Sequence, residues 1–304
     1  MSAVDVSPVD PAEPPIVDRV FLPAVYRAAS DASEQGQRAY LWIVRIQLVS
    51  LVVAAAFGVF SWTVGQADVA GIVAAVAFSV SLVGEVFQLR EDPARAWYGG
   101  RAVAESAKTL SWRYMVGGNP FPIGEPANVV AHRFRLRLGA LLRDPPGAWI
   151  GSPDQRLGQA TPEMSDIRSR PLAERRRIYL TERIHEQIGW YYAKASWNRR
   201  RARFWSILLA VLTTLGLATG VLKAAGVFHL DILGLTAALV AAGASWVQLK
   251  QHHNLVTAYS VAQHELSLIA EEVPTYSKES EWADFVANAE EAISREHTLW
   301  RASR

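Results

Sequence analysis

The chain has 304 residues, of which 50% are hydrophobic, and a mean hydropathy of +0.08. Its 31 basic and 29 acidic residues nearly balance, so a general nucleic-acid-binding surface is not indicated. The absence of cysteine excludes disulfides, thiolate metal sites and a cysteine nucleophile, and it suits a chain that faces the cytoplasm.

Residues 1–24 predict a disordered N-terminal arm. Prolines recur there, and Asp5, Asp10 and Glu13 stand where a secretion signal would place Lys or Arg before an apolar core. We therefore expect no signal peptide in this segment.

Four long apolar runs follow in two pairs, and they predict membrane spans over 46–67, 69–87, 204–222 and 232–249. Their lengths match the about 17 to 25 residues that a helix needs to cross a hydrocarbon core of about 30 Å. They lack the polar stripe of a surface helix. The alternative is a set of buried helices in a soluble bundle, but the rest of the chain offers too little amphipathic helix to cover them. We expect an all-α integral membrane fold with two transmembrane helical hairpins.

The basic residues are distributed asymmetrically around these spans. Twelve Lys and Arg lie within about 20 residues of the outer span ends, whereas the two connecting loops contain only Lys223. The positive-inside rule therefore predicts a multi-pass protein of the inner (cytoplasmic) membrane with both termini in the cytoplasm. Trp42, Trp62, Trp205 and Trp246 fall at or near span ends, where indole rings favour the interface.

The chain repeats itself at an offset of 160 residues. Segment 84–105 aligns with 244–265, sharing a Gln-Leu-basic triplet and a closing Glu, and the same offset lays the first span over the third. Each half, 25–115 and 172–304, is therefore predicted to hold a lead-in helix, a membrane hairpin and a trailing helix.

Segment 116–171 lies between the halves and holds eight of the fifteen prolines. Because proline interrupts helices, we expect a linker or irregular insert without a long helix. Inside it, HRFRLRLGALL alternates basic and apolar residues, which is compatible with a short strand, a membrane-surface patch or, preferably, a locally ordered linker. From Pro171 onward, apolar residues recur at helical spacing as far as the third span, which predicts one long helix entering the bilayer.

The sequence contains no arrangement typical of catalysis. HExxH, GxSxG and P-loop spacings are absent, and the adjacent His252 and His253 point to different faces of a helix, so they cannot share a metal. We expect both histidines to be solvated, and we expect no enzyme activity, cofactor or metal.

Two helices outside the spans carry a stripe of charged residues that includes a tryptophan. The stripes are Arg101, Glu105, Lys108 and Trp112, and Glu291, Arg295, Glu296 and Trp300. One interpretation is a site for an anionic ligand. The other, which we favour, is a ladder of ion pairs that packs cytoplasmic helices against one another.

Small residues recur at four-residue spacing inside the spans, which lets helices approach closely in lipid. The helix-packing candidates are Ala54, Gly58, Gly216, Gly220, Ala237, Ala241 and Ser245. No ionisable residue lies mid-membrane, which disfavours a pump or a proton-coupled transporter. Glu85, near the end of the second span, is either a pore-mouth carboxylate in an assembly or, more simply, an interfacial carboxylate.

The lead-in helix, the hairpin and the trailing segment WYGGRAVAESAKTLSWRYMVGGNPF resemble a SLATT domain, a two-transmembrane effector family of bacterial nucleotide-signalling conflict systems. The second half, through its closing ISREHTLW, resembles another SLATT subtype. The resemblance implies a membrane effector that forms a pore when a sensor triggers it, and no catalytic residue carries over.

We therefore expect a protein of the lipid bilayer that forms a homo-oligomer, responds to a cytoplasmic sensor or nucleotide-signalling partner, and permeabilises or perturbs the membrane. The alternative is a non-conducting membrane scaffold that recruits a cytoplasmic partner. We expect no nucleic-acid partner in either case.

Overall fold

The computed structural model describes residues 21–59, 62–143, 160–227 and 232–302, with the side chains of 295–302 left out. Nearly all of the arm predicted over 1–24 lies outside these ranges. The described α-helices are α1 (Ala24–Gly58), α2 (Val69–Glu91), α3 (Pro93–Val116), α4 (Ala127–Arg143), α5 (Pro162–Ser169), α6 (Leu172–Tyr179), α7 (Glu186–Ala224), α8 (Ile232–Lys250), α9 (His252–Glu272) and α10 (Glu279–Ala302). The described strands are β1 (Thr63–Val64) and β2 (Ala67–Asp68), which pair antiparallel.

The first membrane hairpin consists of α1, the two short strands and α2. Helix α1 ends at Gly58, so the predicted span over 46–67 is too long at its C-terminal end. The physical reason is a tight turn between β1 and β2, where Gly65 has φ of 62°. Glycine adopts this conformation without the steric cost of a side chain, and the turn is uncharged, so hydropathy does not reveal it.

The second hairpin is entered by the long helix that the sequence predicts. Helix α6 passes through one π-helical turn, Leu180–His185, directly into α7, so that helical structure extends over Leu172–Ala224, 53 residues in all. Helix α8 then returns across the membrane. The predicted spans over 204–222 and 232–249 lie within α7 and α8.

The two halves share the same order of helices and the same kind of junction between the returning span and the trailing helix. In each half, a single left-handed residue separates the returning span from the trailing helix: Asp92 at φ 39° before α3, and Gln251 at φ 49° before α9. These are the non-glycine residues with positive φ in the described chain. The Asp92 side chain accepts a hydrogen bond from the Arg95 backbone N–H at 3.1 Å, which caps α3.

Helices α1 and α3 pack closely outside the membrane because glycines lie at their contact. A Cβ on Gly100 would lie 2.8 Å from the Ala29 carbonyl oxygen, and one on Gly36 would lie 2.7 Å from the Trp97 nitrogen. The Ser33 hydroxyl also donates to the Trp97 carbonyl at 3.0 Å. The lead-in helix is therefore held rigidly against the trailing helix of its own hairpin.

The hydrophobic core lies outside the membrane, in a unit that we call the extramembrane bundle: α3–α6, α9, α10 and the membrane-distal ends of α1 and α7. Helix α4 contributes Val130, Phe134 and Leu138, all fully buried. The expectation of an irregular linker over 116–171 is therefore wrong for its described part, which contains α4 and α5. The three buried residues are spaced by four, which is a helical period, and the prolines before them stand ahead of the helix rather than in it.

The four spans are little buried within the part of the chain that the structure describes. In their most apolar windows 17%, 11%, 6% and 6% of residues are buried, in chain order. Apolar helices with so little protein cover need a lipid environment, because water would otherwise contact large apolar surfaces. The structure confirms the all-α membrane fold with two transmembrane hairpins.

Candidate functional site

The small residues of α7 are used inside the chain. A Cβ on Gly216 would lie 3.1 Å from the Thr236 hydroxyl oxygen on α8, and one on Gly220 would lie 3.6 Å from Leu233. Gly216 is buried by this contact. The two glycines therefore bring α7 and α8 together within one hairpin.

The other small-residue candidates divide between packed and exposed positions. Ala54 is buried, whereas a Cβ on Gly58 would meet nothing within 4 Å. On α8, Ala237, Ala241 and Ser245 are exposed along one face. That face of α8 is therefore open to lipid or to a second chain.

Glu85 belongs to a polar contact between the two helices of the first hairpin. Gln47 donates from Nε2 to Glu85 at 3.3 Å, and Gln88 donates to Gln47 Oε1 at 2.7 Å. All three side chains lie at the end of the hairpin that is nearer to the extramembrane bundle. This contact gives Glu85 a packing role between α1 and α2 within the chain.

Several hydroxyl groups in the spans donate hydrogen bonds to their own helices. Thr213 and Thr214 on α7 donate to the carbonyls of Leu209 and Ala210, at 2.8 and 2.9 Å. Ser245 on α8 donates to the Ala241 carbonyl at 2.9 Å. These residues therefore present little hydrogen-bonding capacity to their surroundings.

The first charged stripe lies in the extramembrane bundle. Trp112 is buried in the core, where its ring meets Tyr179 edge-on at 5.9 Å, while Arg101, Glu105 and Lys108 are half-buried. Burial lowers the pKa of Lys108, and the neighbouring positive charge of Arg183 lowers it further. In the second stripe Glu291 is exposed, and the side chains of Arg295, Glu296 and Trp300 lie outside the described residues.

A buried ion pair joins the long helix to α10. Arg183 donates from Nε to Glu290 Oε1 at 2.9 Å and from Nη2 to Oε2 at 2.8 Å, and both side chains are almost wholly buried. Tyr179 donates to the same carboxylate at 3.1 Å. Burial and the Glu290 charge raise the pKa of Tyr179 well above its usual value, so its hydroxyl stays a donor.

Several contacts tie the last helix of the second half to the first half. Trp282 donates from its indole N–H to the Val116 carbonyl at 2.8 Å, and Arg113 donates to the Ala287 carbonyl at 2.9 Å. Arg175 donates to the Val116 carbonyl at 2.6 Å and pairs with Glu279. The two halves therefore share one extramembrane core.

The two adjacent histidines differ in environment. His253 is exposed, as expected, but the expectation of a solvated His252 is wrong: it is 3% exposed, and its Nδ1 lies 2.7 Å from Asn198 Oδ1. The contact joins α9 to α7. Within the described residues there is no group of three His, Cys, Asp or Glu that would hold a metal ion.

The spacing of residues in the sequence indicates the buried arginines. Arg175, Tyr179, Arg183 and Gln187 follow one another at intervals of four and are all buried. Such spacing places them on one face of the helix. Residue type argues against a buried face here, because two of its members are arginines, which usually lie at the surface.

Comparison with protein families matches both halves of the chain. Residues 23–176 match the SMODS and SLOG-associating 2TM effector domain 3, and residues 179–300 match the SMODS and SLOG-associating 2TM effector domain 1. The first match includes α4 and α5, so the segment expected to be a linker lies within that domain. No curated protein and no solved structure matches the chain. The chain belongs to the SLATT family of two-transmembrane effector domains, and it carries two of them in tandem.

Proposed function

We propose that the protein is an effector that oligomerises in the membrane and permeabilises it when a cytoplasmic signal acts on the extramembrane bundle. The observation that carries this proposal is the continuity of the long helices. Helix α1 and the helical stretch over Leu172–Ala224 each run from the buried core of the bundle into a span. At 1.5 Å per residue the second is about 80 Å long, so a shift at its buried end displaces its membrane end.

Permeabilisation requires several chains in this proposal. Four spans are too few to surround a wide lumen, so a pore would be lined by helices from more than one copy. The exposed face of α8 with Ala237, Ala241 and Ser245 supports this assembly, because small residues allow close approach between helices in lipid. Gly216 and Gly220 do not supply that face, because they already contact α8 of the same chain.

The signal is proposed to reach the bundle from the cytoplasm, where both termini and the segment between the hairpins would lie. The twelve basic residues outside the span ends, against one in the loops, support this orientation in the inner membrane. The family description, which associates these domains with SMODS and SLOG proteins, supports a nucleotide-signalling partner.

One observation favours a second candidate, a non-conducting scaffold that recruits a cytoplasmic partner. Thr213, Thr214 and Ser245 hydrogen-bond to their own backbone, so these three hydroxyl groups are poorly suited to line a water-filled path. A scaffold would keep the bundle as its binding surface and leave the membrane sealed.

Graded expression in bacterial cells, with a potential-sensitive dye, separates the two functions. We expect rising amounts of wild-type protein to depolarise the membrane, because mass action favours assembly without the signal. Ala241→Leu should abolish most of the effect by preventing close approach at α8. Ala218→Leu, an equal gain in hydrophobicity at an exposed position on α7, is the matched control and should depolarise like the wild type.

Two results would contradict the pore proposal. Membrane-inserted wild-type protein that leaves the dye signal unchanged at every expression level would favour the scaffold. Equal depolarisation by the wild type and Ala241→Leu would keep permeabilisation but exclude this face of α8 as the assembly interface.

A further inference from the structure

A cavity of about 650 Å³ lies between the two halves, where α1 of the first half meets α7 and α8 of the second. Its walls are apolar, with Val52 on α1, Leu212 on α7 and Leu239 on α8 among the residues that line it. The volume is in the range of sites that hold a small molecule or part of a lipid.

Three cations surround one end of this cavity. Arg45 lies on α1 where that helix enters its span, Arg201 precedes the span of α7, and Lys250 ends α8, so all three lie at the same level. None of the described residues that line the cavity is acidic. The cavity thus has a basic mouth and an apolar interior.

Each of these three cations lies close to a tryptophan ring. The Arg45 guanidinium carbon lies 5.2 Å from the Trp246 ring centre, and the Lys250 ammonium lies 5.0 Å from the same ring. Arg201 lies 5.3 Å from the ring of Trp197. Indole rings favour the membrane interface, which places the basic mouth at the level of the lipid headgroups.

The depth of the cavity fits one lipid leaflet. The lining on α1 extends from Arg45 to Val53, about 12 Å of helix, and that on α7 from Trp197 to Leu212, about 23 Å, of which about 17 Å lies on the membrane side of Arg201. Half of a hydrocarbon core of about 30 Å is about 15 Å. The apolar walls therefore cover the length of the inner half of the bilayer.

We propose that the cavity binds one anionic phospholipid, with its phosphate on Arg45, Arg201 and Lys250 and an acyl chain along Val52 and Leu212. Charge and apolarity together select this occupant. A free phosphate or nucleotide would leave the apolar walls uncovered, and an uncharged span from a second copy would bring no negative charge to the guanidinium groups of Arg45 and Arg201. The bound lipid joins the first hairpin to the second, whether or not the protein conducts ions.

Native mass spectrometry on the full chain in an uncharged detergent tests the site. We expect one phosphatidylglycerol per chain to bind more tightly than phosphatidylcholine, and neither inorganic phosphate nor ATP to displace it. Arg45→Gln with Arg201→Gln should weaken phosphatidylglycerol binding about twenty-five-fold, at about fivefold per cation. Arg199→Gln with Arg203→Gln is the control, because it removes equal charge from the same segment at exposed residues that do not line the cavity.

A second pair of variants tests the apolar part. Ala242 lines the cavity, so Ala242→Phe should reduce lipid binding by filling it, whereas Ala218→Phe places the same ring on an exposed position of α7 and should not. Far-ultraviolet circular dichroism confirms that each variant retains its helices.

Four outcomes would overturn the proposal. Equal loss in both arginine pairs would indicate diffuse attraction, and equal binding of phosphatidylcholine would exclude headgroup recognition. Displacement of the lipid by phosphate or ATP would indicate a soluble anion as the occupant. Unchanged lipid binding with an altered oligomer mass in Ala242→Phe would indicate that a second copy fills the cavity.

Discussion

Glu290→Leu is the substitution that most directly probes how the extramembrane bundle is held together. It removes both hydrogen bonds that Arg183 makes to the carboxylate, at 2.9 and 2.8 Å, and the bond from Tyr179. The guanidinium would remain in a site that is 1% exposed, without the carboxylate that it is paired with in the wild type. An unpaired charge in a buried site lowers the free energy of unfolding far more than a charge that stays in solvent.

The expected loss is about 3 to 5 kcal/mol of unfolding free energy, the range measured when one partner of a buried pair is removed. Arg183 cannot relieve the cost by losing its proton, because a guanidinium stays charged in proteins even without a partner. For a chain of 304 residues, the melting temperature should fall by at least about 5 °C. Tryptophan fluorescence in detergent reports the change, because Trp112 and Trp282 lie in the core beside Tyr179.

Two further variants serve as controls for the effect of Glu290→Leu. Glu281→Leu changes a carboxylate on the same helix whose pair with Lys278 is exposed, and it should cause no measurable change. Arg183→Met combined with Glu290→Leu removes both charges and should recover most of the loss. A Glu290→Leu protein that melts like the wild type, or a double variant no more stable than the single one, would refute the argument.

Three other predictions concern titration, packing and orientation. Because the pKa of Lys108 is lowered in the fold, its protonation opposes folding at neutral pH; Lys108→Met should raise the melting temperature near pH 7, and its advantage should shrink as the pH rises toward 10.5. Gly216→Leu should destabilise the second hairpin in detergent by forcing α7 away from α8, whereas Ala241→Leu should leave its melting temperature unchanged. In intact spheroplasts an impermeant maleimide should label Gln66→Cys but label Ser303→Cys only after lysis; labelling of Ser303→Cys from outside would contradict the proposed orientation.

The membrane hairpins and the long helix could be predicted from the sequence because hydropathy and helical spacing act locally. The end of the first span could not be placed, because its limit is a Gly65 turn within an uncharged run. Helix α4 could not be predicted with the same ease. Its buried apolar residues recur every fourth position, which indicates a helix, but the prolines around it indicate an irregular segment. Proline disrupts the interior of a helix but is tolerated in its first turn, so a proline-rich segment can still hold helices, such as α5, which begins at Pro162.

The contacts between halves could not be predicted in the same way. Arg183 meets Glu290 across 107 residues of sequence, and Trp282 meets Val116 across 166. No local pattern encodes such a pairing, since it depends on how the helices pack. The cavity between α1, α7 and α8 could not be predicted for the same reason. Its cations come from three separate segments, and the basic residues of any one segment indicate only the orientation of the span beside it.

Ion conduction by the purified protein in planar bilayers tests the central claim most directly, with chemical crosslinking in the same preparation to show that copies have assembled. We predict discrete current steps that appear with the crosslinked species and disappear with it in Ala241→Leu. A sealed bilayer that contains crosslinked wild-type assemblies and is exposed to cytoplasmic extract carrying the signal would contradict permeabilisation and leave the scaffold as the function.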